Sequence, residues 1–123
     1  MAQTADVLAY EGTHEVIQSN HGNMTFNLFN EGERIVAQLA GRLDTAATAE
    51  ITPAFQALTE QANKHIILDC AQLEYISSSG LRLFLSLRKE SAAKGGKLQV
   101  RAINADVRQV FMMTGFISLF EII

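Results

Sequence analysis

With a single cysteine, a single proline and no tryptophan, the 123-residue chain leaves out several residues from which specialised scaffolds are built. One cysteine closes no internal disulfide, so nothing in the composition asks for an oxidising compartment. His14, His21 and His65 stand far apart with no ligand spacing, and the lone cysteine does not complete a set, so neither metal nor cofactor is expected. Positive charge is scarce as well. Ten Lys and Arg against thirteen Asp and Glu give a formal net charge of −3, and the ten are scattered. A nucleic-acid footprint or a polybasic membrane anchor needs clustered cations, which argues against both. No apolar run approaches the roughly 18 residues of a membrane span. Residues 1–12, MAQTADVLAYEG, lack the basic and apolar regions of a signal peptide. These absences describe a soluble, cytoplasmic protein with no membrane insertion.

What is present is a globular composition, 48% hydrophobic, at a length that fits one domain of about 100–150 residues. Residues 1–21 carry no sustained period and read as an N-terminal extension. It is either a loose, flexible arm or one short strand or turn around residues 7–10 and 15–17. From residue 22 to 123 the pattern is that of one α/β domain. Met24, Phe26 and Leu28 alternate with Thr25, Asn27 and Phe29, the period of a half-buried strand. Residues 30–33, NEGE, are turn chemistry and residues 34–40 the returning strand, a hairpin with a four-residue loop. Gly41-Arg42-Leu43-Asp44 closes that strand. Asp44 or Thr45 caps a helix from about residue 46 to 61, in which Pro53 predicts a kink or a restart at Thr52. Residues 65–70, HIILDC, form an almost continuous apolar run, typical of a strand covered on both faces. A strong helix follows over residues 81–93 and ends at Gly95-Gly96. Residues 98–102 alternate as a strand. Asn104 caps a helix over residues 105–113 with Val107, Val110 and Phe111 inward, Thr114-Gly115 stops it, and residues 117–123 read as a last strand. The order is β-β-α-β-α-β-α-β, and its helix-then-strand steps imply parallel crossovers within a mixed sheet packed with helices.

The candidate working part is the turn that leads into helix 81–93, where Ser77, Ser78, Ser79 and Gly80 stand together. Hydroxyls at a helix start meet backbone N–H groups without partners and the positive end of the helix dipole. Taken locally, the commonest role is that one of the three serines caps the helix. The sharper reading is regulated phosphorylation. A phosphate adds about −1.5 to −2 charge. The helix end tolerates that charge, but a partner docking beside it would have to desolvate it. A capping serine and a switch are compatible. Catalytic versions lack parts: G-x-S-x-G needs a glycine where Ile76 or Ser77 stands, and G-x-x-x-x-G-K is absent. Asp44, taken alone, is a helix cap; if the fold brings it beside the serine turn, it joins the same surface. Cys70 reads as a small buried hydrophobe, and Met112, Met113 and Phe116 as core and helix-end packing. Along the helix, Arg82, Ser86 and Lys89 share one narrow face. Leu81, Leu83, Phe84, Leu85 and Leu87 cover most of the remaining circumference, so this helix is packed on two sides or keeps apolar surface for a partner.

Three stretches, taken in order over about residues 24–123, resemble the STAS domains of bacterial anti-anti-sigma factors (anti-sigma factor antagonists). Leu39-Ala40-Gly41-Arg42-Leu43-Asp44 matches the family's L-x-G-x-L-D strand end. Leu68-Asp69 through Ile76, then Ser77-Ser78-Ser79-Gly80-Leu81, matches its strand followed by D-S-S-G-L. Val107 to Phe111 through Thr114-Gly115-Phe116 matches its V-x-x-x-F and x-G-(L/F) third helix. The resemblance implies a protein that is not an enzyme but acts by partner switching. The unmodified form binds an anti-sigma factor that is also a serine kinase and so frees a sigma factor. The kinase uses ATP to phosphorylate a serine at the start of the second helix, and a serine phosphatase resets the switch. The acceptor position falls on Ser78, with Ser79 and then Ser77 next. The partner-binding surface around it would comprise Asp44, Thr45, Ser77, Ser79, Gly80, Leu81 and Arg82. The motif's aspartate is Ser77 in this chain, which removes a charge beside the acceptor. The alternative within the same family is a docking module without a switch, in a lipid-transport ABC system or a signalling scaffold.

Overall fold

The computed structural model describes residues 15–18 and 24–123. Six strands and three helices follow one another as β1 (Glu15–Gln18), β2 (Met24–Glu31), β3 (Arg34–Leu43), α1 (Thr45–Thr59), β4 (His65–Ile76), α2 (Ser78–Ala93), β5 (Lys97–Arg101), α3 (Ala105–Met113) and β6 (Glu121–Ile122), with a 3-10 turn at Phe116–Ser118 before the last. The strands pair in sequence order into one sheet. β1, β2 and β3 are antiparallel neighbours, and β3 to β6 run parallel. This is the expected α/β domain with a mixed sheet and the order β-β-α-β-α-β-α-β, preceded by β1. Residues 15–18 thus take the strand alternative for that part of the N-terminal extension, while residues 7–10 lie outside the described residues.

Parallel strands in sequence order are joined by right-handed crossovers, which stack α1, α2 and α3 on one face of the sheet. Alternate residues carry that face: Met24, Phe26 and Leu28 of β2, Ile35, Ala37 and Leu39 of β3, and Ile66, Leu68 and Cys70 of β4 all enter one core. A chain of rings crosses it from Phe26 to Phe55 (5.8 Å), Phe84 (6.1 Å) and Phe111 (6.4 Å), tying β2 to α1, α2 and α3 in turn. Cys70 is buried there as read from the sequence, and burial pushes its thiol up to about 12. On the opposite face Arg101 of β5 reaches Asp69 of β4 at 2.9 Å and Glu31 of β2 at 3.0 Å.

Several expectations are corrected. The hairpin loop has two residues rather than four, because Glu31 pairs with Arg34. Gly32 takes φ 68°, which the first central position of so tight a turn requires. β4 does not stop at Cys70 but runs twelve residues to Ile76. Against β3 it carries two extra residues, one between Asp69 and Gln72 and one between Leu73 and Tyr75. Each extra residue is a bulge that breaks the period-two pattern, which is why the sequence shows a strand only as far as residue 70. Asp69 accepts the Ala71 N–H at 3.0 Å at the first bulge. α1 runs through Pro53 as one element with that residue on the exposed side, and α2 starts at Ser78 rather than Leu81. The final segment is a 3-10 turn and a two-residue strand, since β5 is short and offers β6 only Gln99 and Val100. Met112 and Met113 do not pack inward. They are 60% and 77% exposed, because the nine-residue α3 buries only Val107 and Phe111, one turn apart. Phe116 packs partly against the core.

Candidate functional site

The parallel strands β3 and β4 end in step, with Leu43 opposite Ile76. Each then passes through one residue into a helix, and those two residues are Asp44 and Ser77. Both are caps. Asp44 Oδ1 accepts the Ala47 N–H of α1 at 2.8 Å, and Ser77 Oγ accepts the Gly80 N–H of α2 at 3.2 Å. Ser77 N–H donates to the Leu43 carbonyl at 2.9 Å, extending the ladder by one bond and setting the two turns side by side. The sequence left open whether Asp44 lies beside the serine turn; the parallel register brings it there.

The three serines are distinguished by position. Ser77 is 8% exposed and occupied as the cap. Ser78, the first helical residue, is exposed, and Ser79 is half-buried. Gly80 and Leu81 are buried and seat the helix on the strand ends. A Cβ on Gly80 would stand 2.9 Å from side-chain atoms of both Ile76 and Leu43, so only glycine allows this approach. Of the residues assigned to the partner surface, Ser77, Gly80 and Leu81 therefore shape the turn from within. Thr45 and Arg82 are exposed with Ser78, and Asp44 and Ser79 are half-buried.

Two further features border the turn. Arg42 lies over the Tyr75 ring, 4.4 Å from its centroid, a pairing made possible by the second bulge. Asn104 accepts the Val107 N–H at 2.8 Å as the cap of α3, and its amide donates to the Leu73 carbonyl of β4 at 2.8 Å. The cap at Asn104 is legible from the residue type. Its tie to Leu73 and the Arg42–Tyr75 stack are not, because they join residues about thirty positions apart through the sheet. His65, bonded to Gln99 at 2.6 Å, begins β4 at the end away from the serines. His14 and His21 lie outside the described residues.

Residues 29–123 match the family model of the STAS domain. The chain belongs to the STAS domain family. Among its relatives is BtrV of Bordetella bronchiseptica, named as an anti-sigma factor antagonist, which is 31% identical over 88 residues covering 72% of this chain and 76% of that one. The crystal structure of an anti-sigma factor antagonist from Mycobacterium paratuberculosis has the same fold, with a TM-score of 0.73 at 18% identity, covering 85% of this chain and 89% of that one. The Bacillus cell fate determinant SpoIIAA, in its phosphorylated form, is similar at 26% identity with a TM-score of 0.61, covering 80% of this chain and 90% of that one. No helix among the described residues of this STAS domain is long and apolar enough to cross a membrane.

Proposed function

We propose that this STAS domain is an anti-sigma factor antagonist that works by binding and is switched off by phosphorylation of Ser78. One observation carries the choice of residue: Ser77 is buried as the helix cap, and Ser78 is the first hydroxyl of the turn that is exposed. The occurrence of a phosphorylated form in the relative SpoIIAA supports a modification of this kind. The partner is an anti-sigma factor that is also a serine kinase. It transfers the terminal phosphoryl group of ATP to Ser78 Oγ, with ADP leaving and the hydroxyl proton lost. In the unmodified state the partner covers the exposed rim around Thr45, Ser78 and Arg82, and the sigma factor is released. A phosphate at Ser78 puts close to two negative charges in the middle of that contact. Burying them against a partner costs more than the contact returns. A serine phosphatase in the cytoplasm restores binding by hydrolysing the phosphate ester.

The test is to incubate the protein with its cognate kinase and ATP and map the product by mass spectrometry. One phosphate on Ser78 is expected, retained in Ser77→Ala and lost in Ser78→Ala. Equal modification of wild type and Ser78→Ala overturns the assignment.

A further inference from the structure

Ser78 and Arg82 are both exposed and stand one turn apart on α2. Side chains at i and i+4 share a helix surface with Cβ atoms about 5–6 Å apart, and a long side chain leans back over the preceding turn. Most of the chain's other arginines are engaged: Arg34 and Arg101 in ion pairs, Arg42 on the Tyr75 ring, and Arg88 on the Leu119 carbonyl. The Arg82 side chain has no hydrogen-bond or ion-pair partner among the described residues. At the helix end beside it, Ser77 occupies two of the N–H groups, that of Gly80 with its hydroxyl and that of Leu81 with its carbonyl. Nor does an acid at the cap compete for Arg82, because this chain has the neutral Ser77 there. The nearby carboxylate of Asp44 is held on the Ala47 N–H at 2.8 Å.

We propose that Arg82 is the intramolecular receiver of the modified side chain, its guanidinium closing over a phosphate carried by Ser78. This rests on Ser78 being the modified residue and adds how the modified state is held. A planar guanidinium offers two parallel N–H donors to phosphate oxygens, a geometry that lysine lacks. Modification then alters the partner's surface twice: it places an anion at position 78 and withdraws the free cation at position 82. A partner whose carboxylate met Arg82 in the unmodified state loses that contact while it gains a repulsive one.

The test installs phosphoserine at position 78 of the full chain by genetic encoding, without any kinase, and follows the phosphate by phosphorus NMR as pH is varied. The second ionisation of a phosphoserine lies near pH 6. In the wild-type background it should fall about 0.3 pH units below its position in Arg82→Gln, the size of an exposed one-turn charge pair. Arg82→Lys should recover part of the difference. Lys89→Gln makes the same charge change on the same helix face, but roughly 16 Å along the axis from Ser78 and beyond the screening length of about 8 Å. It should leave the titration in place. Coincident titrations of wild type and Arg82→Gln, or an equal shift from Lys89→Gln, overturn the proposal. Because the phosphoserine is genetically encoded, a kinase that ignores Ser78 would sink the functional reading and leave this measurement standing.

Discussion

At the residue scale, the three adjacent serines divide into a buried cap at Ser77, an exposed residue at Ser78 and a half-buried one at Ser79. Ser77 closes the ladder to Leu43, and its buried hydroxyl oxygen accepts the Gly80 N–H as the cap. Replacing a capping serine by alanine costs about 1 kcal/mol, and Ser77→Ala should lower the thermal midpoint by about 4 °C. Ser77→Asp should leave it unchanged, because aspartate caps as well as serine does. Differential scanning calorimetry checks both. Equal losses in the two variants would mean that space in the turn, rather than the cap bond, sets the requirement at position 77.

At the element scale, the sheet is locked on the face opposite α1, α2 and α3 by ion pairs that reach between strands. Arg101 on β5 meets Asp69 on β4 and Glu31 on β2, and Arg34 also pairs with Glu31 at 2.6 Å. The hydrogen bond from Arg101, followed by the charges of Arg101 and Arg34, outweighs desolvation and holds the Glu31 carboxyl below its ordinary range. A carboxylate with a depressed folded value adds stability at pH values above its unfolded value. That contribution disappears as pH falls through the folded value, when Glu31 takes up its proton. Glu31→Gln should therefore be less stable than wild type at neutral pH and converge with it in acid. Chemical denaturation across pH 2–8 reads this, and parallel curves for the two proteins would show that the bridge contributes nothing.

For the whole molecule, the arrangement that matters is that α1, α2 and α3 leave the same end of the parallel strands, each beginning at a capping side chain. Asp44, Ser77 and Asn104 are those caps, and Asn104 binds back to β4 at Leu73. The proposed function makes stability and binding separable, because Ser78 is exposed and does not cap the helix. Ser78→Asp places a carboxylate at the first position of α2, where the helix dipole favours an anion by about 0.3–1 kcal/mol. The variant should melt at or slightly above the wild-type temperature and yet bind the anti-sigma partner at least tenfold more weakly. Calorimetry beside a titration of the partner checks this. Loss of both properties together would show that Ser78 supports the fold.

The sequence by itself determined the alternation of β2, the helical period of α2 with Arg82, Ser86 and Lys89 on one narrow face, the cap at Asn104, and Asp44 or Thr45 as the cap of α1. These depend on neighbours within a few positions, where period and side-chain chemistry act directly on the backbone. It also located the serine turn. It did not determine that β4 reaches Ile76, because two bulges interrupt the alternation and are defined only against β3. Nor did it place Met112 and Met113, whose exposure depends on which side of a short helix the sheet covers. Which of Ser77, Ser78 and Ser79 caps α2 was likewise beyond local pattern, since all three have the same capping chemistry. Tertiary structure decided it through one long-range bond. The Ser77 N–H joins the Leu43 carbonyl at 2.9 Å, and that pins Ser77 at the strand end as the cap and leaves Ser78 facing solvent.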